Sequence, residues 1–446
     1  MNTNSELFIR DLGGGLILRR ASKADADALA EINSRMHSDD GPDKPNLGIA
    51  EWIRDLVTKP HPTMEPGDFT VVEETATGRI VSTLCLIPQK WTFDGIEFGV
   101  GRPELVCTLP EFRRRGLIRI QMEEVHKWSK ERGDLVQVIT GIPNYYRQFG
   151  YGMALELSGG RRGFEAHVPV LKADETESFH FRLAEEGDVD FIVKLYAAAE
   201  SKHLLSCKRP AEIIRYEIFG KSEKSIVRYE KLIIEDVSGR RVGYFEISSE
   251  LWMDGLVCTY AALEDGVPWL EVSPALARYL WKKGGDYAQR DGGTRTSFGF
   301  GFGSQHPIYE ALDDKLPKVR EPYAYYMRVP DLPAFLRLIR PVLERRLAES
   351  PAVGYSGTLR LSFYRNGVSL GFERGQIIQI EPMQVGSGTE VDALFPDLTF
   401  LHLLFGHRSL GELSHMFADC YANHNTARVL LNALFPKRHS AVSAVT

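Results

Sequence analysis

The stretch that most constrains this chain of 446 residues joins a strand to a helix through an arginine-rich turn. The apolar run Glu104–Thr108 predicts a strand, and Pro110 ends it because proline has no N–H to give to a ladder. The arginines Arg113–Arg115 then lead into Gly116 and an amphipathic helix. A glycine lets the backbone approach an anion, and the first N–H groups of a helix attract one. The sequence therefore predicts a phosphate-binding turn, to which the arginines add charge and forked donors.

The residues after this turn continue the pattern. The helix has an apolar face and is predicted to end at Gly133, and Leu135–Ile139 is predicted as a second strand. A tyrosine-rich turn, "GIPNYYRQFGYG", follows from Gly141 to Gly152. Three arginines and a glycine alone favour a phosphate site no more than an ordinary exposed helix start. The whole order of strand, turn, helix, strand and tyrosine-rich turn is what favours the site.

This order resembles the core of the GNAT superfamily of acyl-CoA N-acetyltransferases. Within that superfamily, "RRRGLIR" and "YYRQFGYG" resemble the enhanced intracellular survival (Eis) family. The resemblance implies acetyl-CoA as co-substrate and a primary amine as acceptor, for which an aminoglycoside-like molecule, a polyamine or a lysine all fit. In that reaction the amine attacks the thioester carbonyl directly and the thiolate departs. The expected partner is therefore a small-molecule amine.

Landmarks of the first third of the chain recur further on and indicate a duplication. The recurring pairs are Ala21 with Ala184, Asp25 with Asp188, Asp27 with Asp190, Pro110 with Pro274, and Pro143–Tyr145 with Pro307–Tyr309. In this register Arg113 falls on Ala277 and Gly116 on Leu280. The second copy is therefore predicted to carry a turn at Pro274–Leu280 that holds no pyrophosphate.

The last region opens with a predicted helix from Asp331 to Leu347 and continues with a hairpin. Strands at Thr358–Tyr364 and Val368–Phe372 flank Asn366–Gly367, a two-residue hairpin turn signal. The order of elements, with "LFGHRSLGELSHMF" and "LNALFP", resembles the sterol-carrier-like domain that closes Eis-family proteins. The expected fold is α/β (α+β), with an active GNAT domain at 1–165, a degenerate GNAT domain at 166–330 and a sterol-carrier-like α+β domain at 331–446.

The resemblance assigns cofactor-binding residues in three groups. Backbone groups of Val106, Cys107 and Thr108 would pair with the pantetheine arm, whose amides suit a strand edge. Gly141 and Ile142, after the second strand, would also line the cofactor. The pyrophosphate would lie on the turn formed by Arg114, Arg115, Gly116, Leu117, Ile118 and Arg119.

The resemblance also assigns catalytic roles. Tyr146 aligns with the general acid of the family, with Tyr145 as the competing candidate and Tyr151 as the third. A phenol is protonated near neutral pH and can donate to a departing thiolate. The base would be the terminal carboxylate of Thr446, delivered by the last region, although such a tail is commonly frayed. Asp39 and Asp40, on a polar loop, are candidates for attracting a cationic amine.

Composition bounds the remaining possibilities. Lys plus Arg total 54 against 60 for Asp plus Glu, so the net charge of −6 gives no basic field for nucleic acid. Neither the five scattered cysteines nor the histidines of the last region show zinc-ligand spacing, so no metal is expected. No apolar run is long enough for a membrane, which favours a cytoplasmic protein. The resemblance implies a homo-oligomer, namely a hexamer. The rival hypothesis is a non-catalytic CoA- or lipid-binding protein that uses the last region.

Overall fold

The computed structural model describes residues 7–252 and 254–446, and its first region is a long twisted sheet with helices packed on it. The strands are β1 Phe8–Gly13, β2 Leu16–Arg20, β3 Phe69–Glu74, β4 Arg79–Phe93, β5 Ile96–Thr108, β6 Val136–Ile139 and β7 Gly152–Leu157. The helices are α1 Ala26–Met36, α2 Leu47–Thr58 and α3 Leu117–Glu131. Asp94 and Gly95 join β4 to β5 with φ of 49° and 91°, as a tight hairpin requires.

The second region repeats this plan of strands and helices. Its strands are β8 Gly160–Phe164, β9 Phe179–Leu183, β10 Leu205–Cys207, β11 Tyr229–Asp236, β12 Arg241–Ser248, β13 Gly255–Leu263, β14 Ser297–Phe300, β15 Lys318–Arg320 and β16 Tyr323–Arg328. Its helices are α4 Val189–Glu200, α5 Ala211–Arg215, α6 Trp269–Asp291 and α7 Pro307–Leu312. The helix α6 corresponds in order to α3, because each connects two parallel strands.

The last region is a smaller sheet with short helices. Its strands are β17 Gly357–Ser362, β18 Gly367–Glu373, β19 Gln376–Met383, β20 Ala393–Leu394 and β21 Tyr421–Ala422. Its helices are α8 Leu332–Leu338, α9 Arg340–Ala348, α10 Thr399–Leu404, α11 Leu410–Met416 and α12 Asn425–Leu434. Its core is continuous with the β4–β5 hairpin, since Phe93 and Phe98 both pack edge-on against Phe335. The last region is therefore anchored on the first.

The first sheet includes two strands of the second region. It has the order β1-β2-β3-β4-β5-β6-β16-β7, with β10 beside β4. The second sheet has the order β15-β8-β14-β13-β12-β11-β9, with every strand from the second region. Strand β16 thus lies between β6 and β7. The first sheet therefore depends on the second region for part of its hydrogen bonding.

The aspartates of the sequence repeat play the same local role in both regions. Asp25 accepts from the backbone N–H of Ser22 at 2.7 Å and pairs with Arg19 at 2.7 Å. Asp188 accepts from the backbone N–H of Glu185 at 2.9 Å and pairs with Arg182 at 2.6 Å. Each caps the short turn that starts a helix, which is a frequent use of aspartate. The repeated letters therefore mark a repeated structure.

Three local predictions need correction. Pro274 lies inside α6, so the predicted turn at Pro274–Leu280 is instead helix interior. The predicted helix through Leu347 is two helices that break near Ile339, where Pro341 must lie in a first turn because it cannot donate to the helix ladder. The hairpin of the last region is present, but its first strand ends at Ser362, so the loop has four residues rather than two.

Candidate active site

The cleft of the candidate site opens where β5 and β6 part. These parallel strands pair only at Val100 with Val136 and at Gly101 with Gln137. A register shift follows in the β4–β5 ladder, and Leu105 has a φ of 55°, as in a β-bulge. Beyond Gly101, within the described residues, the edge of β5 toward β6 has no strand partner. Such an edge fits a ligand that carries amides of its own.

The predicted phosphate turn lies at the end of this open strand. Gly116 caps α3 with a φ of 75°, which a residue with a side chain rarely adopts, and no side chain caps the helix start. The first N–H groups of α3 are therefore available to an anion. Arg113, Arg114 and Arg115 are all exposed, and the Arg115 guanidinium lies 4.8 Å from the Phe112 ring centroid. The turn fits the charge and the donors that a pyrophosphate requires.

Tyr146 lies beneath the cleft, with a side chain only 6% exposed. Its ring meets that of Tyr326 at 5.5 Å between centroids. A Cβ on Gly141 would come within 2.5 Å of the Tyr146 ring, so only glycine lets the ring lie there. Burial, followed by the charge of Glu104, raises the pKa of Tyr146 above that of an ordinary phenol. Tyr146 therefore keeps its proton at neutral pH.

The end of the chain enters a cavity of about 630 Å³ that lies between the first and second regions. The backbone N–H of Leu205 donates to Ser440 Oγ at 2.9 Å. Further along, Arg209 Nη2 donates to Ser443 Oγ at 2.7 Å. Both partners belong to the second region, so the tail is held by a wall that the phosphate turn does not share.

The last two residues are held from both sides of this cavity. The carbonyl oxygen of Val445 accepts from Gln89 Nε2 at 2.7 Å and from Arg102 Nη1 at 2.9 Å. Lys221 Nζ donates to Thr446 Oγ1 at 2.9 Å. Among the ion pairs of the described chain, none uses the terminal carboxylate. The tail is thus fixed by the backbone of Val445 and the hydroxyl of Thr446.

His61 faces the terminus from the loop before β3. Its Nδ1 accepts from the backbone N–H groups of Thr63 and Met64 at 3.2 and 3.1 Å, which puts the proton on Nε2. That nitrogen is buried without a bonded partner in the described residues, although the Thr446 backbone is close enough to act on it. Burial lowers the pKa of His61 to about 4. His61 is therefore neutral at pH 7.

A buried ionic cluster backs the cavity on the side of the second region. Lys231 Nζ pairs with Glu217 at 2.9 Å and with Glu246 at 2.6 Å, and Arg209 reaches the same two carboxylates at 3.4 and 3.3 Å. Burial lowers the pKa of Lys221 to about 8. Because the charges of Lys231, Arg209 and the two glutamates are paired with one another, these four side chains form a rigid support for the tail rather than an open binding group.

The structure brings most of the predicted site residues together around the cleft and the cavity. Asp39 lines the cavity, whereas Asp40 lies on the exposed loop outside its lining. Cys107 and Leu117 have buried side chains, so only their backbones face a ligand, and Ile142 is 61% exposed. The remaining cofactor positions, at the cleft or on the exposed turn, are Val106, Thr108, Arg114, Arg115, Gly116, Ile118, Arg119 and Gly141.

Sequence reasoning missed several polar residues in the cavity wall. Arg102 and Glu104 form an ion pair of 2.5 Å on β5, and Arg102 also holds the tail through the Val445 carbonyl. They stand two positions apart along the strand, so both point to one face. Two charged residues within a predicted buried strand could have indicated from the sequence that these side chains belong to a site. No sequence pattern singled out Gln89, on the neighbouring strand, as a site residue.

Two other features of the described chain bear on ligands and location. In residues 7–252 and 254–446, no group of three or more histidine, cysteine, aspartate or glutamate side chains is arranged to hold a metal ion. Across the same residues, the helices are all too short or too polar to cross a bilayer.

Comparisons with known proteins agree with this site. Residues 18–154 match the family model described as an acetyltransferase (GNAT) domain, which covers the cleft, the phosphate turn and Tyr146. No curated protein sequence matches the chain. The prediction of a GNAT domain is thus confirmed, whereas the Eis-like assignment and the sterol-carrier-like last region stay predictions.

Solved structures are similar over nearly the whole chain. A probable N-acyltransferase from Enterococcus faecalis shares 15% identity at a TM-score of 0.67, covering 96% of this chain and 98% of its own. Eis1 from Mycobacterium abscessus shares 14% at 0.56, covering 96% and 99%. The N-myristoyltransferase of Saccharomyces cerevisiae, solved with myristoyl-CoA, shares 11% at 0.52, covering 74% and 82%. The chain therefore carries a GNAT acetyltransferase domain at residues 18–154, within a mixed α/β fold that it shares with these structures.

Proposed function

We propose that the protein is an acetyl-CoA-dependent N-acetyltransferase that acts on primary amines. The amine would attack the thioester directly, Tyr146 would donate a proton to the departing thiolate, and the terminal carboxylate of Thr446 would take the proton of the amine. The observation that carries this proposal is the ordered tail, which Arg102 and Lys221 hold by the Val445 carbonyl and the Thr446 hydroxyl in a cavity beside the GNAT cleft.

The cofactor assignment is supported by the fit of the cleft. The unpaired edge of β5 at Val106–Thr108 suits the amides of pantetheine, and the start of α3 at Gly116 suits the pyrophosphate. When bound, acetyl-CoA supplies the activated acyl group. The chain supplies positioning, which by itself accounts for a large part of the rate in such a reaction.

The roles of acid and base follow from what the other groups already bind. Glu104 is engaged with Arg102, whereas no ion pair of the described residues includes the terminal carboxylate of Thr446, which leaves that carboxylate available to accept a proton. Tyr146 is buried and protonated, and burial also keeps water from competing for its proton. An α-carboxylate is a weak base in water, and desolvation in the cavity raises its basicity.

We also propose an Eis-like assignment, with which the likeness in fold to Eis1 agrees. The sequence resemblance to the Eis family implies a sterol-carrier-like last region and a homohexamer in the cytoplasm, and the net charge gives no basic field for nucleic acid. The mass of the particle in solution tests this part. A monomer or dimer would remove the hexamer and leave the proposed reaction untouched.

A second cavity allows a test of the alternative that the protein is a non-catalytic lipid-binding protein. It measures about 1090 Å³ between the first and last regions, and its wall includes Leu332, Phe363, Phe400 and Leu401. Charged side chains such as Asp397 share that wall, which suits a wholly apolar lipid poorly. A titration with a fluorescent fatty acid separates the hypotheses, since tight binding without any turnover would favour a carrier.

The decisive experiment is an assay of released CoA. The protein is incubated with acetyl-CoA, a thiol reagent and a panel of amines that includes kanamycin, spermine and a lysine peptide. Release of CoA that depends on an amine is expected. Binding of CoA without release from any amine would refute the enzyme and favour the binding protein.

A further inference from the structure

A buried carboxylate lies in the wall of the tail cavity without a full set of partners. Glu200 ends α4, is 5% exposed and lines the cavity. Its Oε1 accepts from the Tyr260 hydroxyl at 3.1 Å. Its Oε2 is buried and, within the described residues, has no hydrogen-bond donor. A buried carboxylate oxygen left in this state is costly, so it calls for a donor that the chain does not supply.

The surroundings of Glu200 are aromatic and already balanced in charge. The titratable or charged groups that face it are Tyr196, Tyr244, Tyr260, Arg209, Glu246 and Cys207. Arg209 is committed to Glu217 and Glu246, as described above. Burial raises the pKa of Glu200 to about 7, even though the Tyr260 hydrogen bond and Arg209 act against it. Glu200 therefore lacks a dedicated cation.

An ammonium group is the ligand that matches these features. It is a compact donor of three hydrogen bonds, and the ring of Tyr260 beside the carboxylate is also attractive to a cation. A cavity of about 630 Å³ is large enough for an acceptor that extends from the tail to Glu200. An anion or a neutral apolar group would leave Oε2 unpaired.

We infer that Glu200 binds a second ammonium group of the acceptor, so that the preferred substrate is a diamine or polyamine with one amine at the tail and another at Glu200. The inference rests on the proposed acetyltransferase function. Glu200 acts here as a specificity-determining residue, because it contacts the substrate away from the reacting amine.

Binding of a cation at Glu200 has a measurable consequence. Below pH 7 the carboxyl is largely protonated in the free protein, and an ammonium neighbour favours the carboxylate. Binding of a diamine at pH 6.5 therefore releases a proton to the buffer. A monoamine that reaches only the tail does not release it.

The kinetic experiment compares 1,5-diaminopentane with pentylamine as acceptors. Glu200→Gln should raise KM for the diamine by at least about tenfold, since it removes a buried charge pair, and should leave KM for pentylamine unchanged. The matched control is Glu230→Gln, which alters a half-buried glutamate of the same region that also accepts from a tyrosine, Tyr287, at 2.6 Å but lies outside the cavity. Equal changes for both amines in Glu200→Gln would overturn the inference.

Calorimetry separates this inference from the proposed function. CoA-saturated protein is titrated with the diamine at pH 6.5 in two buffers of different ionisation heat, which reports the released proton. Release in the native protein and its loss in Glu200→Gln support the inference even if no amine is acetylated. Diamine binding without proton release, or release that persists in the variant, overturns it. Should Glu200→Gln fold poorly, Tyr260→Phe replaces it and should weaken diamine binding alone.

Discussion

The first and second regions both contain a strand, a helix and a parallel strand, yet only one of them forms a cleft. Strands β5 and β6 pair at two positions and then part, whereas β13 and β14 pair at four, from Gly255–Ser297 to Cys258–Phe300. Helix α3 begins at Gly116 after an exposed basic turn. Helix α6 begins after Pro268 and runs on through Pro274, with neither the glycine nor the arginines.

This difference shows how a repeated unit can take a second role. The strand end and following turn of the second region, with Tyr260 and Gly303, line the cavity into which the tail docks. The strands that part in the first region are thus paired in the second, while the neighbouring face of the second region lines the cavity. Under the proposed function, the first copy would bind the cofactor and the second would face the amine.

The largest effect is expected from the tail, which side chains of both regions hold. Deletion of Val445 and Thr446 should lower kcat roughly a thousandfold, as loss of a general base does, with CoA affinity unchanged. Thr446→Val is the matched control, because it removes the hydrogen bond to Lys221 Nζ and keeps the terminal carboxylate. Full turnover after the deletion would show that the tail has no role in proton transfer.

The next effect separates Tyr146 from Tyr309, which is the counterpart of the neighbouring Tyr145 in the repeat. Tyr146→Phe should reduce kcat about a hundredfold and leave CoA binding intact, since it removes the proton donor alone. In the second region, the Tyr309 hydroxyl lies 3.2 Å from the carbonyl oxygens of both Phe300 and Gly303, to which it can donate its proton. Tyr309→Phe should therefore lower the melting temperature with little change in kcat. A steady-state assay and a melting curve for each variant decide this, and equal rates for both would contradict the assignment.

The third effect is a pH dependence that belongs to the second region. The pKa of Glu200 is raised to about 7 in the folded protein. The contribution of the protonated carboxyl to the free energy of unfolding is therefore complete below the ordinary glutamate pKa and is lost as the pH rises through 7. The free energy of unfolding of Glu200→Gln, relative to that of the native protein, should therefore be about 2 kcal/mol more favourable to the variant at pH 8 than at pH 5. Melting temperatures of both proteins at the two pH values provide the measurement. A constant difference would mean that Glu200 is ionised at both.

The smallest effect compares two glycines in the same backbone conformation. Gly116 and Gly292 have φ of 75° and 67°, and neither would place a Cβ within 4 Å of a neighbour. Alanine should therefore cost each site about 1 kcal/mol of stability. Only Gly116→Ala should also weaken the binding of CoA, by about tenfold, because it shifts the N–H groups at the start of α3. Isothermal titration calorimetry with CoA measures the affinity of each variant. Equal affinities would contradict the assignment of the Gly116 turn as the phosphate-binding site.

The sequence by itself determined the local elements of the site. Some residues of the site act through neighbours in the chain, so their identities alone predict the local structure. These residues are the arginines before Gly116, the glycine at 141 and the repeated aspartates. The GNAT domain and the mixed α/β fold were predicted from the order of these elements and its resemblance to the GNAT core, and both are confirmed. Errors arose where a local signal competed with packing, as at Pro274, which the long α6 accommodates near its start.

The tertiary structure alone decided which distant residues share a cavity. Gln89 and Val445 lie 356 residues apart and yet form a hydrogen bond. The insertion of β16 between β6 and β7, like the burial of Glu200, depends on contacts between residues far apart in the chain that no local pattern encodes. The sequence of a strand or the identity of a carboxylate residue does not show whether its polar groups are paired in the folded protein. Whether it acts as a site is set by what the folded chain leaves unpaired and removes from water.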